Sequence, residues 1–176
     1  GIDKAQLGGD ATGTFYATNL FTPQPSITTP DLHVKNISYN KTVFGDADIK
    51  SHWDNDKKEI TLDADIISPD KTLSTVTGGI FPLNDSLDIT FDAKDINVKF
   101  LKPYMEAFTS DIEGTASGKA RLFGTFKYID LEGDIFAKNL RLKIDFTNTT
   151  YTATDSVHIR PGKIKIDKIK LYEGDA

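Results

Sequence analysis

The chain has 176 residues, enough for one domain with a core or a run of stacked repeats, and too few for two independent domains. Its 38% hydrophobic and 27% charged content is that of a globular protein, and its 26 acidic and 21 basic side chains are interleaved, which excludes the concentrated basic face of a phosphate-backbone binder. With no cysteine, disulfides, thiolate metal sites and cysteine nucleophiles are all removed.

Gly1-Ile2-Asp3-Lys4 lacks the charged-then-apolar pattern of an export signal, and no run reaches the roughly 18 apolar residues of a membrane span. Both ends read as cuts within a longer protein, so an anchor or export signal is expected outside this stretch. Pro23, Pro25 and Pro30 lie in a Thr/Pro/Gln/Ser segment that reads as loop.

From there the dominant signal has period two, the mark of a strand with one apolar and one wet face. Leu32, Val34, Ile37 and Tyr39 open it, followed by Ile49, then Ile60, Leu62 and Ala64. Asp54-Asn55-Asp56 with Glu59 faintly echoes a calcium loop but lacks its glycine and length, so it reads as a hairpin turn. Pro69-Asp70 marks another turn. Leu87, Ile89, Phe91 and Ala93 alternate with polar residues, and the phase slips at Lys94-Asp95 before Ile96, Val98 and Phe100. That slip predicts a bulge, because an unbroken strand would turn its apolar set to the wrong face.

Leu101, Tyr104, Met105 and Phe108 have helical spacing and predict one short helix near 101–109. Gly114-Thr115-Ala116-Ser117-Gly118 precedes no helix pattern that could cradle phosphate, and reads as a tight crossing between strands. Alternation resumes with Ala120, Leu122 and Phe126, then Leu131, Ile135 and Ala137, then Leu140, Leu142, Ile144 and Phe146. Gly124 and Gly133 fall inside these runs, where glycine marks a bend or a close backbone approach. After the Pro161-Gly162 turn, Ile164 and Ile166 alternate until the phase slips before Ile169 and Leu171. The whole predicts an all-β architecture of roughly ten to twelve strands. The expectation is a single β-rich segment of a larger protein over 1–176, divisible into sub-units 1–79 and 80–176.

Little in this chain carries covalent chemistry. His33, His52 and His158 have no partners at metal-ligand spacing, and no nucleophile, phosphate-loop or dinucleotide motif occurs. The expectation is a binding or conduit structure, not an enzyme, with no cofactor and no metal. The informative feature is the apolar stripe. It is either sealed by a facing sheet, as in a sandwich, or left partly open on a folded-over sheet for something to occupy. An acyl chain would suit an open face, since about 0.8 kcal/mol per buried methylene gives a lipid tail roughly 10 kcal/mol before ordering costs.

Three segments add a family resemblance. They are Phe100-Leu101-Lys102-Pro103-Tyr104, then Asp111-Ile112-Glu113-Gly114-Thr115-Ala116-Ser117-Gly118-Lys119-Ala120-Arg121-Leu122-Phe123-Gly124-Thr125-Phe126, then Leu131-Glu132-Gly133-Asp134-Ile135. Together they resemble the C-terminal region of the TamB translocation and assembly module family (AsmA-like), in the form found in Bacteroidetes. Tyr151 to Ile169 is similar to the segment that follows there, and Leu32–Tyr39 with Phe44–Ile49 is a looser match to the same grammar.

The resemblance implies a curled antiparallel or mixed sheet forming a U-shaped apolar trough. It also implies a periplasmic segment of a protein anchored in the inner membrane. That protein would meet an outer-membrane partner of the TamA/BamA type, and would carry phospholipid or nascent outer-membrane protein strands. No catalytic residue follows from it.

The candidate trough lining is Leu87, Ile89, Phe91, Ile96, Val98, Phe100, Leu122, Phe126, Leu131, Ile135, Leu140, Leu142 and Ile144. The competing expectation is a closed β-sandwich adhesin or carbohydrate-binding module at the cell surface. Against it, Tyr16, Tyr39, Trp53, Tyr128 and Tyr172 are scattered rather than clustered.

Overall fold

The structure, a computed structural model, describes residues 7–18, 26–102, 109–167 and 170–173. Eleven strands account for nearly all of them. They are β1 (Leu7–Thr18), β2 (Ser26–Tyr39), β3 (Thr42–Asp54), β4 (Glu59–Ile67), β5 (Leu73–Phe81), β6 (Ser86–Asn97), β7 (Thr109–Thr125), β8 (Tyr128–Ile144), β9 (Thr149–Arg160), β10 (Lys163–Ile166) and β11 (Lys170–Glu173). They form one antiparallel sheet in chain order from β1 to β10. β11 pairs with β9 in line with β10. The order is open and the sheet is curled. The all-β class and the curled sheet are as expected, with every pairing antiparallel.

Of the helix expected near 101–109, residues 103–108 lie outside the described residues. Leu101 ends a 3₁₀ turn, Val98–Leu101, and Thr109 already opens β7. Pro30 lies inside β2 rather than in a loop, at a register shift between Thr29 and Leu32 where its missing N–H costs no ladder bond. Gly114–Gly118 is the middle of the 17-residue β7 and not a crossing between strands. β5 is a strand that the alternation does not mark, and Gly78-Gly79 lies in its middle.

The register places the alternating apolar residues on one face. Gly78 pairs Ile89, which pairs Leu122, which pairs Leu131. Cross-strand partners share a face, so each row extends the same stripe. The slip at Lys94-Asp95 is a bulge as predicted, with the register shifting between Ala93 and Ile96. Asp95 takes a left-handed φ of 52°, and its N–H donates to Ser117 Oγ at 2.8 Å.

Two further bulges repeat this device. At Lys35-Asn36 the Asn36 N–H donates to Asp46 Oδ1 at 3.0 Å, and at Lys138-Asn139 the Asn139 N–H donates to Thr154 Oγ1 at 3.1 Å. Each uses a short polar residue that tolerates the left-handed region, met by a side-chain oxygen from the next strand. Each keeps the apolar set on one face past the kink.

Strand lengths explain the curl. β4 and β5 have nine residues each, so the β2–β3 hairpin and the β6–β7 pair project beyond them at one end. The projecting parts meet above the short pair. The Phe100 ring lies edge-on to Phe44 at 5.4 Å and to Tyr39 at 6.2 Å, and Asn40 Nδ2 donates to Phe100 O at 3.0 Å. The shift between Ile37 and Ser38 leaves Phe44 as the extra residue of β3, which aims its ring at Phe100. The apolar face is therefore the concave one, and this aromatic cluster closes one end of it.

Candidate functional site

The concave face is lined by residues of very unequal size. β7 places Ala116, Gly118, Ala120 and Gly124 on it, opposite Ile96, Ala93, Phe91 and Leu87 of β6. On the other side β8 sets Ala137, Ile135, Gly133 and Ile129 against the same four. Apart from Leu122, small residues make a floor along β7, and most of the larger ones stand on β6 and β8 as walls. The Gly114–Gly118 run thus has a structural role: its even positions are the floor, and its odd positions, Thr115 and Ser117, lie half-buried on the opposite face.

Burial supports an open trough. Among the described residues the buried apolar side chains are four alanines, Ala47, Ala64, Ala137 and Ala153, with Val98, Ile112 and Val157. The large wall residues Leu87, Ile89, Phe91, Ile96, Leu122, Ile135, Leu140, Leu142 and Ile144 are all half-buried, and Leu131 is 40% exposed. A packed sandwich core would bury its largest side chains first. Among the described residues no large apolar side chain is fully buried; the fully buried side chain is the small Thr109, whose hydroxyl bonds Lys143 O.

Ten of the thirteen expected lining residues are strand residues on this face, and three differ in kind. Phe126 is in the Phe126-Lys127 turn between β7 and β8, 47% exposed at the rim, since alternation does not distinguish a strand end from a turn. Val98 and Phe100 belong to the 3₁₀ turn and form the end closure rather than a wall, and Val98 is buried. Residues that sequence alternation had marked but not assigned to the lining also reach the face, among them Ile49, Ile60, Leu62 and Ala64. Val76 and Ile80 of β5 join them, a strand the glycine pair concealed.

No family model, curated protein or solved structure matches this chain. The reading of the site therefore rests on its own geometry.

The convex face is polar and clipped. Arg121 forks onto Asp88, with Nε and Nη2 each at 2.8 Å, and reaches Glu132 at 3.3 Å while stacking 4.2 Å over Phe123. The guanidinium holds the Asp88 carboxyl below the usual carboxylate range. Beside it is an open polar cleft of about 400 Å³ lined by Thr90, Lys119, Arg121, Glu132, Asp134 and Arg160. Its mixed charges read as a solvated sheet face. Among the described residues no three His, Asp or Glu side chains gather as metal ligands.

His158 ties the edge strand down. Its Nδ1 is 2.8 Å from Asp134 of β8 and its Nε2 is 3.0 Å from Asp167, just past β10. Arg160 adds a second contact to Asp134, and Lys165 approaches Asp167 at 3.8 Å. The Asp134 and Asp167 hydrogen bonds raise the His158 pKa above its usual 6.5, and His158 and Arg160 depress that of Asp134.

A raised histidine stabilises fully below its unfolded value and loses that contribution as pH rises through the folded one. Asp134 does the reverse, losing its contribution only as pH falls below the carboxylate range. The clip is thus strongest in mildly acidic solution. Amide protection factors over Lys163–Ile166 are expected to fall as pH rises past the raised histidine value, and His158→Gln should flatten that dependence. An unchanged pH profile in His158→Gln would show that the clip does not hold the edge.

Proposed function

We propose that this chain is a periplasmic segment of a TamB-like envelope protein whose apolar β-trough shields phospholipid acyl chains, or nascent outer-membrane protein strands, in transit between inner and outer membranes. The observation that carries the reading is the half-exposed state of the large wall residues on a concave face with a small-residue floor. Water disfavours such a face by about 25 cal/mol per Å² of apolar surface, so an occupant that covers it is held without directional contacts. The Gly-x-Ala-x-Gly pattern over 114–118, on which the family resemblance leaned, is the trough floor, which ties the motif to the geometry. In this reading the full-length protein is anchored in the inner membrane and hands its cargo to a TamA/BamA-type partner. It needs no catalytic residue and no cofactor.

Native mass spectrometry of the chain purified from a bacterial envelope tests this. Co-purifying phospholipid, displaced by long-chain fatty acid, is the expected result. A lipid-free protein that instead binds glycans would favour a cell-surface binding module.

A further inference from the structure

The two edges of the open sheet are defended unequally. At one edge, β10 and β11 have four residues each, lie in line along β9, and carry Lys163, Lys165 and Lys170. His158 bonds Asp167 just past β10 and ties that edge down. Short strands and lysines keep a sheet edge from pairing with a further chain. The opposite edge, β1, has neither. It runs for twelve residues without lysine or proline, and its single charged side chain is Asp10. Bulges at Gly9 and Phe15 bound a straight run, Asp10–Thr14, in unbroken register with Asp31–Lys35 of β2. Alternate residues of such a run turn N–H and C=O away from β2, at the spacing of another extended chain.

The sequence of β1 says what that chain would carry. Gly9-Asp10-Ala11-Thr12-Gly13 repeats the Gly-x-Ala-x-Gly pattern of Gly114–Gly118 in β7. The glycines match in backbone as well, with φ 143° and 144° in β1 against 122° and 128° in β7. In β7 the pattern has neighbours on both sides: Ala116 lies between Ile96 and Ala137, and Gly118 between Ala93 and Ile135. Both are half-buried. In β1, Ala11 and Gly13 meet Val34 and Leu32 of β2 on one side only, and both are exposed. Thus β1 is a floor strand with one wall.

We propose that β1 is a strand-addition edge, which takes an extended segment of another polypeptide in antiparallel pairing. The incoming strand sets large apolar residues beside Ala11 and Gly13, on the concave face, and polar residues between them. This deepens the proposed function and rests on its nascent-strand arm, since apolar residues on one face and polar ones on the other are the pattern of an outer-membrane β-strand. Two features favour such a strand over a second copy of the chain. Pairing β1 with β1 would set glycine and alanine against glycine and alanine, cross-strand pairs with almost no side chain to pack. It would also bring a second Asp10 to the junction, where an incoming lysine brings a counter-charge.

Fluorescence anisotropy tests this with a labelled synthetic peptide of about nine residues, the length of a membrane-crossing β-strand. Leucine and isoleucine alternate in it with threonine and lysine. The chain is expected to bind the peptide, with amide exchange slowed at Asp10–Thr14, a readout that needs no variant. A peptide of the same composition with the alternation scrambled should bind about tenfold or more weakly. Ala11→Lys combined with Thr12→Lys alters only exposed edge positions, should melt close to wild type, and should weaken binding about tenfold or more. Lys165→Thr, at the defended edge, should bind as wild type does. The proposal is overturned by a wild type that binds no peptide, by equal binding of the scrambled peptide, by undiminished binding in the double variant, by an equal loss in Lys165→Thr, or by slowed exchange confined to β6–β8. Dimers in sedimentation velocity that the double variant abolishes, without peptide binding, would assign the edge to a second copy instead.

Lipid retention, measured on the same proteins by native mass spectrometry, separates this from the trough reading. A chain that holds lipid but binds no peptide leaves the trough standing without the edge. Peptide bound at β1 by a chain that holds no lipid leaves the edge standing without the acyl-chain site.

Discussion

Leu142→Asp is expected to empty the trough while leaving the chain folded. Leu142 is on the β8 wall, paired with Ile112 on one side and Tyr151 on the other, and is half-buried. Among the described residues the pairing puts no cation beside a carboxylate at this position, and any acyl chain next to it would strip it of water. Desolvating an unpaired charge costs several kcal/mol, against about 0.8 kcal/mol gained per methylene covered, so occupancy should fall by about tenfold or more.

The folded state loses less. Removing a partly buried leucine costs about 1.5–3 kcal/mol, which for a chain of this size lowers the melting temperature by roughly 3–10 °C. Leu131→Asp is the companion, since Leu131 is 40% exposed on the same face. It should melt close to wild type and still lose its lipid. Ile112→Asp, at a site 5% exposed, should not fold. Should Leu131→Asp melt normally and retain lipid at the wild-type level, the concave face is not where lipid sits.

The curl and the strands were legible in the sequence to different degrees. Alternation exposed β6 and β8 because each carries four or more apolar residues in phase with charges between them. The Lys94-Asp95 slip was visible for the same reason. The equivalent bulges at Lys35-Asn36 and Lys138-Asn139 leave the same trace, a step of three between Val34 and Ile37 and between Ala137 and Leu140. They become recognisable as one device only once the opposing Asp46, Ser117 and Thr154 are in place.

β5 was hidden because glycine is a turn former by propensity, whereas here Gly78 is needed mid-strand against Ile89. The break in alternation after Phe100 points to a segment that covers an end of the sheet, but the closure through the Phe100 ring against Tyr39 and Phe44 was not readable. It depends on β4 and β5 being shorter than their neighbours, a property of pairing rather than of any one segment. The open state of the apolar face was equally beyond alternation, which shows that one side is greasy but not whether a second layer covers it.

Gly118→Val tests whether the floor of the trough also sets its curvature. Gly118 is mid-β7 at φ 128°, a conformation that side-chain-bearing residues rarely adopt, and an added Cβ would approach Asp134 O to 2.7 Å and Ile135 Cα to 3.0 Å. The obstacle is the backbone of β8, so relief requires the two strands to separate. Strain at such a φ costs roughly 1–3 kcal/mol, and overpacking against a rigid neighbour adds about 1–3 kcal/mol. At roughly 2–4 °C per kcal/mol, a fall in melting temperature on the order of 10 °C is expected, a large share of a stability of about 5–15 kcal/mol.

Gly162→Ala separates conformation from contact. Gly162 has φ 71° in the β9–β10 turn, and nothing lies within 4 Å of an added Cβ. Strain alone should lower melting there by only a few degrees, about 1 kcal/mol. Equal losses at the two sites would mean that β8 yields to a Cβ on β7. The small residues of β7 would then form a floor without being required for the bend.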